Sequence, residues 1–290
     1  MRSASASPPP FPPSGIPQAR DPALSLPVGG LELIERADAA AVAEWVAAEL
    51  LKACWQRPGR PLGLATGRTM EPVYAAMVRL LAERNAAEQE RLRREWLSFN
   101  LDEYVGLGPE DPRSFHSVMA RHLGGPLGLD PQRLRLPAGD AADPRAEAER
   151  YAAEQVAAGG IGLQLLGLGL NGHVGFNEPP CGPEAPCRCV DLSDVTRVQN
   201  AAAFGGDPRA VPRQAITLGL AEILAAERIL LVVTGAAKAS VLRRVLEGPP
   251  GPDVPASWLR LHPAVTVIAD GPALRPAPPP STSPPPPDSP

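Results

Sequence analysis

The chain has 290 residues, 44% hydrophobic and 21% charged, enough for one sizeable globular domain and too long for a peptide-sized module. Its 28 basic and 32 acidic residues are mixed along the sequence to a formal charge of −4, so an electrostatic footprint for nucleic acid or an anionic membrane is excluded. No run approaches the roughly 18 apolar residues needed to cross a bilayer, and the opening MRSASASPPPFPPSG lacks the apolar stretch of a signal peptide; the expected location is cytoplasmic.

In chain order, residues 1–30 come first, with 8 of the 38 prolines, and residues 271–290 come last, with 10. Such Pro/Ser/Ala tracts have too little apolar surface to offset the entropy of ordering them, so both read as disordered arms around a folded domain at 31–270. Within it, strands are expected at 31–35, 62–65, 96–101, 163–168, 228–233 and 265–269. Helices are expected at 39–53 and 72–90, which are rich in good helix formers with apolar residues three and four apart. Strands alternating with longer helical segments predict an α/β fold, a doubly wound, mostly parallel sheet with helices on both faces, Rossmann-like. In such sheets ligands bind outside the carboxyl ends of the strands, so polar residues just after a strand are the candidates.

Three strand ends stand out. GLATGRT at 63–69 joins a strand to a helix, and its glycines, its hydroxyls at Thr66 and Thr69 and the free N–H groups of a helix start suit an anion such as phosphate. An ordinary turn with Thr69 as N-cap fits the segment equally well. It lacks the Lys-Ser/Thr ending of a Walker loop and the spacing of a dinucleotide fingerprint, which disfavours a nucleotide. SFNLDEYVGL at 98–107 ends a strand in adjacent carboxylates, Asp102 and Glu103; successive side chains point opposite ways, so one can face a site while the other caps or pairs. Two solvated acids in a turn is the plainer reading.

LGLGLNGHVGFNEP at 166–179 is the most informative segment. Its glycines surround Asn171, His173 and Glu178, and of the four histidines only His173 lies in a glycine-rich loop at a strand end. An imidazole there can move protons to and from a substrate oxygen, with a neighbouring amide or carboxylate fixing its tautomer. Arg188, in a Pro/Cys-rich segment, and Lys238, after another strand, are separate cations of the kind that converge on a phosphate. Cys181, Cys187 and Cys189 lack CxxC-type zinc spacing and read as reduced loop cysteines; no metal is expected.

Together these residues resemble glucosamine-6-phosphate deaminases, within the wider sugar-phosphate isomerase and 6-phosphogluconolactonase group. The resemblance runs collinearly through 31–270, adding SFHSVMARHL at 114–123, TRVQNAA at 196–202, TLGLAEILAAERILLVVTGAAKA at 217–239 and SWLRLHPAVTVIAD at 257–270. It implies an aldose–ketose isomerase and deaminase that turns D-glucosamine 6-phosphate and water into D-fructose 6-phosphate and ammonia. Asp102 is then the base at C2, and His173 the ring-opening group supported by Asn171 and Glu178. Thr66, Gly67, Thr69, Gly167, Arg188 and Lys238 match the sugar and phosphate pocket, with no metal or organic cofactor and a small sugar phosphate as the ligand; the resemblance leaves monomer and homo-oligomer both open. The FNLDEY and GHVGFNEP segments separate deaminases from 6-phosphogluconolactonases, the alternative enzyme. A non-catalytic sugar-phosphate sensor would need a DNA-binding segment, and residues 1–30 carry no helix-turn-helix pattern.

The sequence departs from the family at three places. Position 171 is Asn where many members carry Asp, and a neutral amide orients His173 without stabilising imidazolium, so altered pH dependence is expected, not loss of activity. Arg68 stands in the phosphate turn where Gly or Ser is usual. Residues 180–187 form a Pro/Cys-rich lid slightly longer than usual.

Overall fold

The two faces of the central strands explain the architecture. Leu163–Gly167, Arg228–Val233 and Val265–Asp270 are almost continuously buried, the pattern of parallel strands covered by helices on both sides and not of strands with one wet face. The computed structural model describes Ser25–Val28 by its backbone, together with residues 31–275. In chain order its strands are β1 (Ser25–Val28), β2 (Leu31–Arg36), β3 (Leu62–Leu64), β4 (Ser98–Asn100), β5 (Asp102–Tyr104), β6 (Leu134–Arg135), β7 (Leu163–Gly167), β8 (Arg188–Asp191), β9 (Gln214–Thr217), β10 (Arg228–Val233) and β11 (Val265–Asp270).

Eight of them form one sheet in the order β1-β2-β11-β10-β7-β3-β4-β6, all parallel except the edge strand β1. This is the expected α/β fold. β5, β9 and β8 form a separate antiparallel sheet that was not expected. The expected strand at 96–101 therefore ends early. At Leu101 the chain leaves β4, with its N–H on the carbonyl of Leu64 and its own carbonyl accepting from Leu218, and enters the second sheet at Asp102.

Helix α1 (Ala39–Gln56) starts where the Asp38 side chain accepts the N–H of Ala41, and buries Val42, Val46, Ala47, Leu50 and Leu51 at helical spacing. The segment expected to be one helix at 72–90 is two, α2 (Glu71–Ala82) and α3 (Ala86–Glu95). The break has a local cause: Asn85 takes extended backbone and accepts the N–H of Glu88, while the Glu88 carboxylate takes the Asn85 amide, so the chain restarts as a capped helix. Secondary structure reaches slightly past the expected 31–270 boundaries, with β1 inside the amino-terminal arm and a short helix, Gly271–Leu274, inside the carboxyl-terminal one. Residues 1–24, 29–30 and 276–290 lie outside the described residues. Among the described residues no helix is long and apolar enough to cross a membrane.

Candidate active site

Because β3, β4, β7 and β10 are parallel, their carboxyl ends open on the same side. After β3, Thr66 Oγ1 accepts from the Asn100 side chain of the neighbouring β4 at 2.8 Å, which ties the two strand ends together. Gly67 sits at φ +142°, where a side chain is strained, and a Cβ there meets nothing within 4 Å. The N-cap of α2 is Met70, with no side-chain bond to the helix, so Thr69 is not a cap. Thr69 is half-buried and Arg68 is exposed.

The adjacent acids divide their work as the alternation of a strand requires. Glu103 accepts from the N–H groups of Tyr104 (2.8 Å), Phe115 (2.9 Å) and His116 (2.8 Å), closing the start of the helix Phe115–Met119. Burial still pushes its carboxyl up to about 7 against those bonds. Asp102 accepts no hydrogen bond among the described residues, yet it is only 5% exposed. Burial first, and then the charge of Glu103, push its carboxyl well above the ordinary range. Tyr74, Tyr104 and Tyr151, all three tyrosines of the chain, lie close enough to feel its charge. Two solvated acids in a turn is thereby ruled out.

The third strand end carries His173. A Cβ on Gly169 would lie 2.4 Å from the imidazole, so only glycine leaves room for the ring. The His173 ring is buried and its Nδ1 has no hydrogen-bond partner among the described residues. Burial pulls the imidazole down to about 4, with Glu178 opposing that shift and Lys238 adding to it. Asn171 accepts the His173 N–H at 3.2 Å and donates to Glu178 at 3.4 Å. Glu178 also accepts from Ser193 N and Ser193 Oγ, each at 2.7 Å, and from Thr196 Oγ1. Burial pushes Glu178 up, but the bonds from Thr196 and Ser193 and the nearby imidazole outweigh it and leave the carboxyl below its ordinary value. Ser193 and Thr196 were missed as site residues. Their only local signal is Ser-Asp-Val-Thr, in which Ser193 caps the helix Asp194–Asn200.

The small sheet links this loop to Asp102. Asp102, Thr217 and Arg188 stand abreast on β5, β9 and β8. Thr217 Oγ1 accepts the N–H of Phe176, and a Cβ on Gly175 would lie 3.5 Å from Asp102 Oδ2. Arg188 is therefore a strand residue at the end of the 180–187 lid, not part of an irregular loop. Lys238 closes the short turn Ala236–Lys238 after β10, and burial together with the charge of Arg68 pulls its ammonium down to about 8. Gly167 ends β7, with Met70 Cε 3.4 Å from where a Cβ would stand.

A recess of about 120 Å³ opens at the other end of the sheet, beside the first residues of β3, β7 and β10. Of its three arginines, Arg57 and Arg60 share Glu227 and Arg228 pairs with Glu49, and no carboxyl-end loop reaches it; the ligand side of such a sheet is the other one. All four cysteines are free, and among the described residues no three His, Cys, Asp or Glu side chains are grouped to hold a metal.

The family of glucosamine-6-phosphate isomerases and 6-phosphogluconolactonase matches residues 35–268 of the chain. The chain belongs to this family. Within the family it is 40% identical over 246 residues to a glucosamine-6-phosphate deaminase of Rhodopirellula baltica, covering 84% of this chain and 96% of that one. A solved structure of a monomeric glucosamine-6-phosphate deaminase superimposes with a TM-score of 0.78 at 36% identity, over 84% of this chain and 99% of that one. The 6-phosphogluconolactonase of Trypanosoma cruzi shares the fold, with a TM-score of 0.64 at 18% identity over 83% of this chain and 94% of that one.

Proposed function

We propose that the chain converts D-glucosamine 6-phosphate and water into D-fructose 6-phosphate and ammonia, acting in the cytoplasm through a single domain at about 31–270. The observation that carries this reading is the placement of Asp102. A buried carboxyl without a hydrogen-bond partner lies beside the loop that holds a buried imidazole with an unpartnered Nδ1.

The chemistry follows from that pair. His173 takes the O1 hydroxyl proton of the pyranose and delivers one to the ring oxygen, which opens the sugar to its aldehyde. Asn171, held by Glu178, fixes the main-chain N–H of His173 and so the loop that carries the ring; with burial keeping the imidazole neutral, it is able to accept the proton. Asp102 then removes the C2 proton while a proton of the C2 ammonium passes to the C1 carbonyl oxygen, giving a neutral enolamine. The same carboxyl returns its proton to C1, leaving an iminium at C2 that adds water and releases ammonia. A base has to be ionised, and burial opposes ionisation of Asp102. The ammonium on C2 of the incoming amino sugar supplies the counter-charge that restores the carboxylate where it is needed. Lys238 and Arg188 take the phosphate, Thr66, Gly67 and Thr69 complete the sugar and phosphate pocket, and Gly167 contacts the sugar through its backbone, as the resemblance implies. A dianion suits the mutual repulsion of Arg68 and Lys238.

The test is ammonia release by the purified full chain from glucosamine 6-phosphate, with glucosamine, galactosamine 6-phosphate and 6-phosphogluconolactone alongside. Ammonia from the first substrate and far less from unphosphorylated glucosamine is the expected result. Lactone hydrolysis without ammonia release from any amino sugar refutes the reading.

A further inference from the structure

One wholly buried polar side chain in this site has no part in the proton transfers. Asn177 lies between His173 and Glu178 with no exposed surface. Its Nδ2 donates to the carbonyls of Val174 (3.0 Å) and Leu218 (2.9 Å). Those acceptors decide the amide's orientation, since the reverse would set its oxygen against two carbonyl oxygens. The oxygen must face the other way, and there it accepts Nη1 of Arg188 at 2.9 Å.

The same Nη1 donates to the carbonyl of Pro186 at 3.0 Å, and Nη2 lies 3.5 Å from Cys181 Sγ. With both hydrogens of Nη1 engaged, the N–H groups of Nε and the second of Nη2 are left as a fork of the shape that takes two oxygens of one phosphate. The amide also borders the base. A Cβ on Gly175 would stand 3.5 Å from Asp102 Oδ2 and 3.6 Å from Asn177 Nδ2. The geometry points to Asn177 as a positioning residue that ties Arg188 to the His173 loop and presents its free N–H edge to the substrate phosphate. This rests on the assignment of Arg188 to the phosphate made above.

The experiment is a double-mutant cycle in the full chain: Asn177→Ala, Arg188→Ala and both together, read as KM and kcat for glucosamine 6-phosphate and as competitive inhibition by inorganic phosphate. Asn177→Ala is expected to raise KM and the phosphate inhibition constant together by about tenfold, the size of one lost hydrogen bond to a charged group, with kcat within about threefold of the parent. In the Arg188→Ala background the same substitution is expected to change KM by less than about twofold. Effects that multiply independently, or a fall in kcat with KM unmoved, overturn the positioning role. Unchanged KM and phosphate inhibition in Arg188→Ala alone overturn the phosphate assignment and this inference together. Arg188→Lys guards against misfolding of the Asn177 variant. It keeps the charge and gives up the fork, so KM is expected to rise nearly as far as with Arg188→Ala, and a lysine that keeps the parent's KM overturns the proposal.

Discussion

Glu178 receives hydrogen bonds from Ser193 N, Ser193 Oγ and Thr196 Oγ1, whereas Asp102, which borders the same loop at Gly175, receives none among the described residues. Both are carboxylates at the loop that carries His173, and their surroundings drive them apart: donors hold Glu178 below its ordinary value, while burial lifts Asp102 well above it. A saturated carboxylate is a fixed charge that orients its neighbours. One without donors can exchange a proton, because neither of its protonation states is locked by the protein. Divergent environments for paired titratable groups separate a structural acid from a reacting one.

The largest effect is expected where that contrast is removed from the reacting side. Asp102→Asn keeps shape and burial but cannot take the C2 proton, so turnover is expected to fall by at least about 10³-fold while a substrate analogue binds within a fewfold of the parent. Retained turnover, measured as ammonia release, removes Asp102 from the mechanism. His173→Gln comes next: a fall of about 10²-fold is expected for the cyclic sugar and much less for a pre-opened analogue. Equal losses on both would contradict a ring-opening role. Thr196→Val tests the saturated side. It deprives Glu178 of one hydroxyl donor, so its carboxyl is expected to rise toward the ordinary value and the acid limb of the rate profile to move to higher pH, with kcat down about tenfold at neutral pH. A pH profile identical to the parent's would show that Glu178 does not need that donor.

How much of this was legible in the sequence depended on how local the cause was. The turn after β3, the glycines around His173 and the division between Asp102 and Glu103 follow from strand alternation and loop chemistry. So does the α/β order, since β7, β10 and β11 are continuous apolar runs. The small sheet was not legible. Its strands Asp102–Tyr104, Arg188–Asp191 and Gln214–Thr217 are three or four residues long and carry charged or polar side chains that give no period-2 signal. That hid the placement of Arg188 abreast of Asp102. Ser193 and Thr196 bond Glu178 from 15 and 18 residues away, a pairing that only the folded chain creates. The burial of Asp102 is equally tertiary, since the tyrosines around it come from α2, β5 and the helix Pro144–Ala157.

Asn171→Asp is the mildest and most discriminating change, because it adds a charge between Glu178 and His173. In the parent, His173 titrates near 4 when folded and at its ordinary 6.5 when unfolded. Between those values the unfolded chain binds a proton that the folded chain refuses. The contribution to stability is therefore complete above about pH 6.5 and is lost as pH falls toward 4, by at most ~3 kcal/mol. A carboxylate at position 171 favours imidazolium and raises the folded value, which narrows that window and makes the acid-side loss smaller. It also faces Glu178 in place of the amide that donated at 3.4 Å, so stability at neutral pH is expected to drop by about 1 kcal/mol. Urea unfolding at pH 7.5 and pH 5 reads both effects at once. Opposite changes at the two pH values are expected, with kcat altered less than about fivefold. A uniform loss at both would mean that the side chain at 171 does not act on the imidazole, and that Glu178 alone sets the charge on that side of the ring.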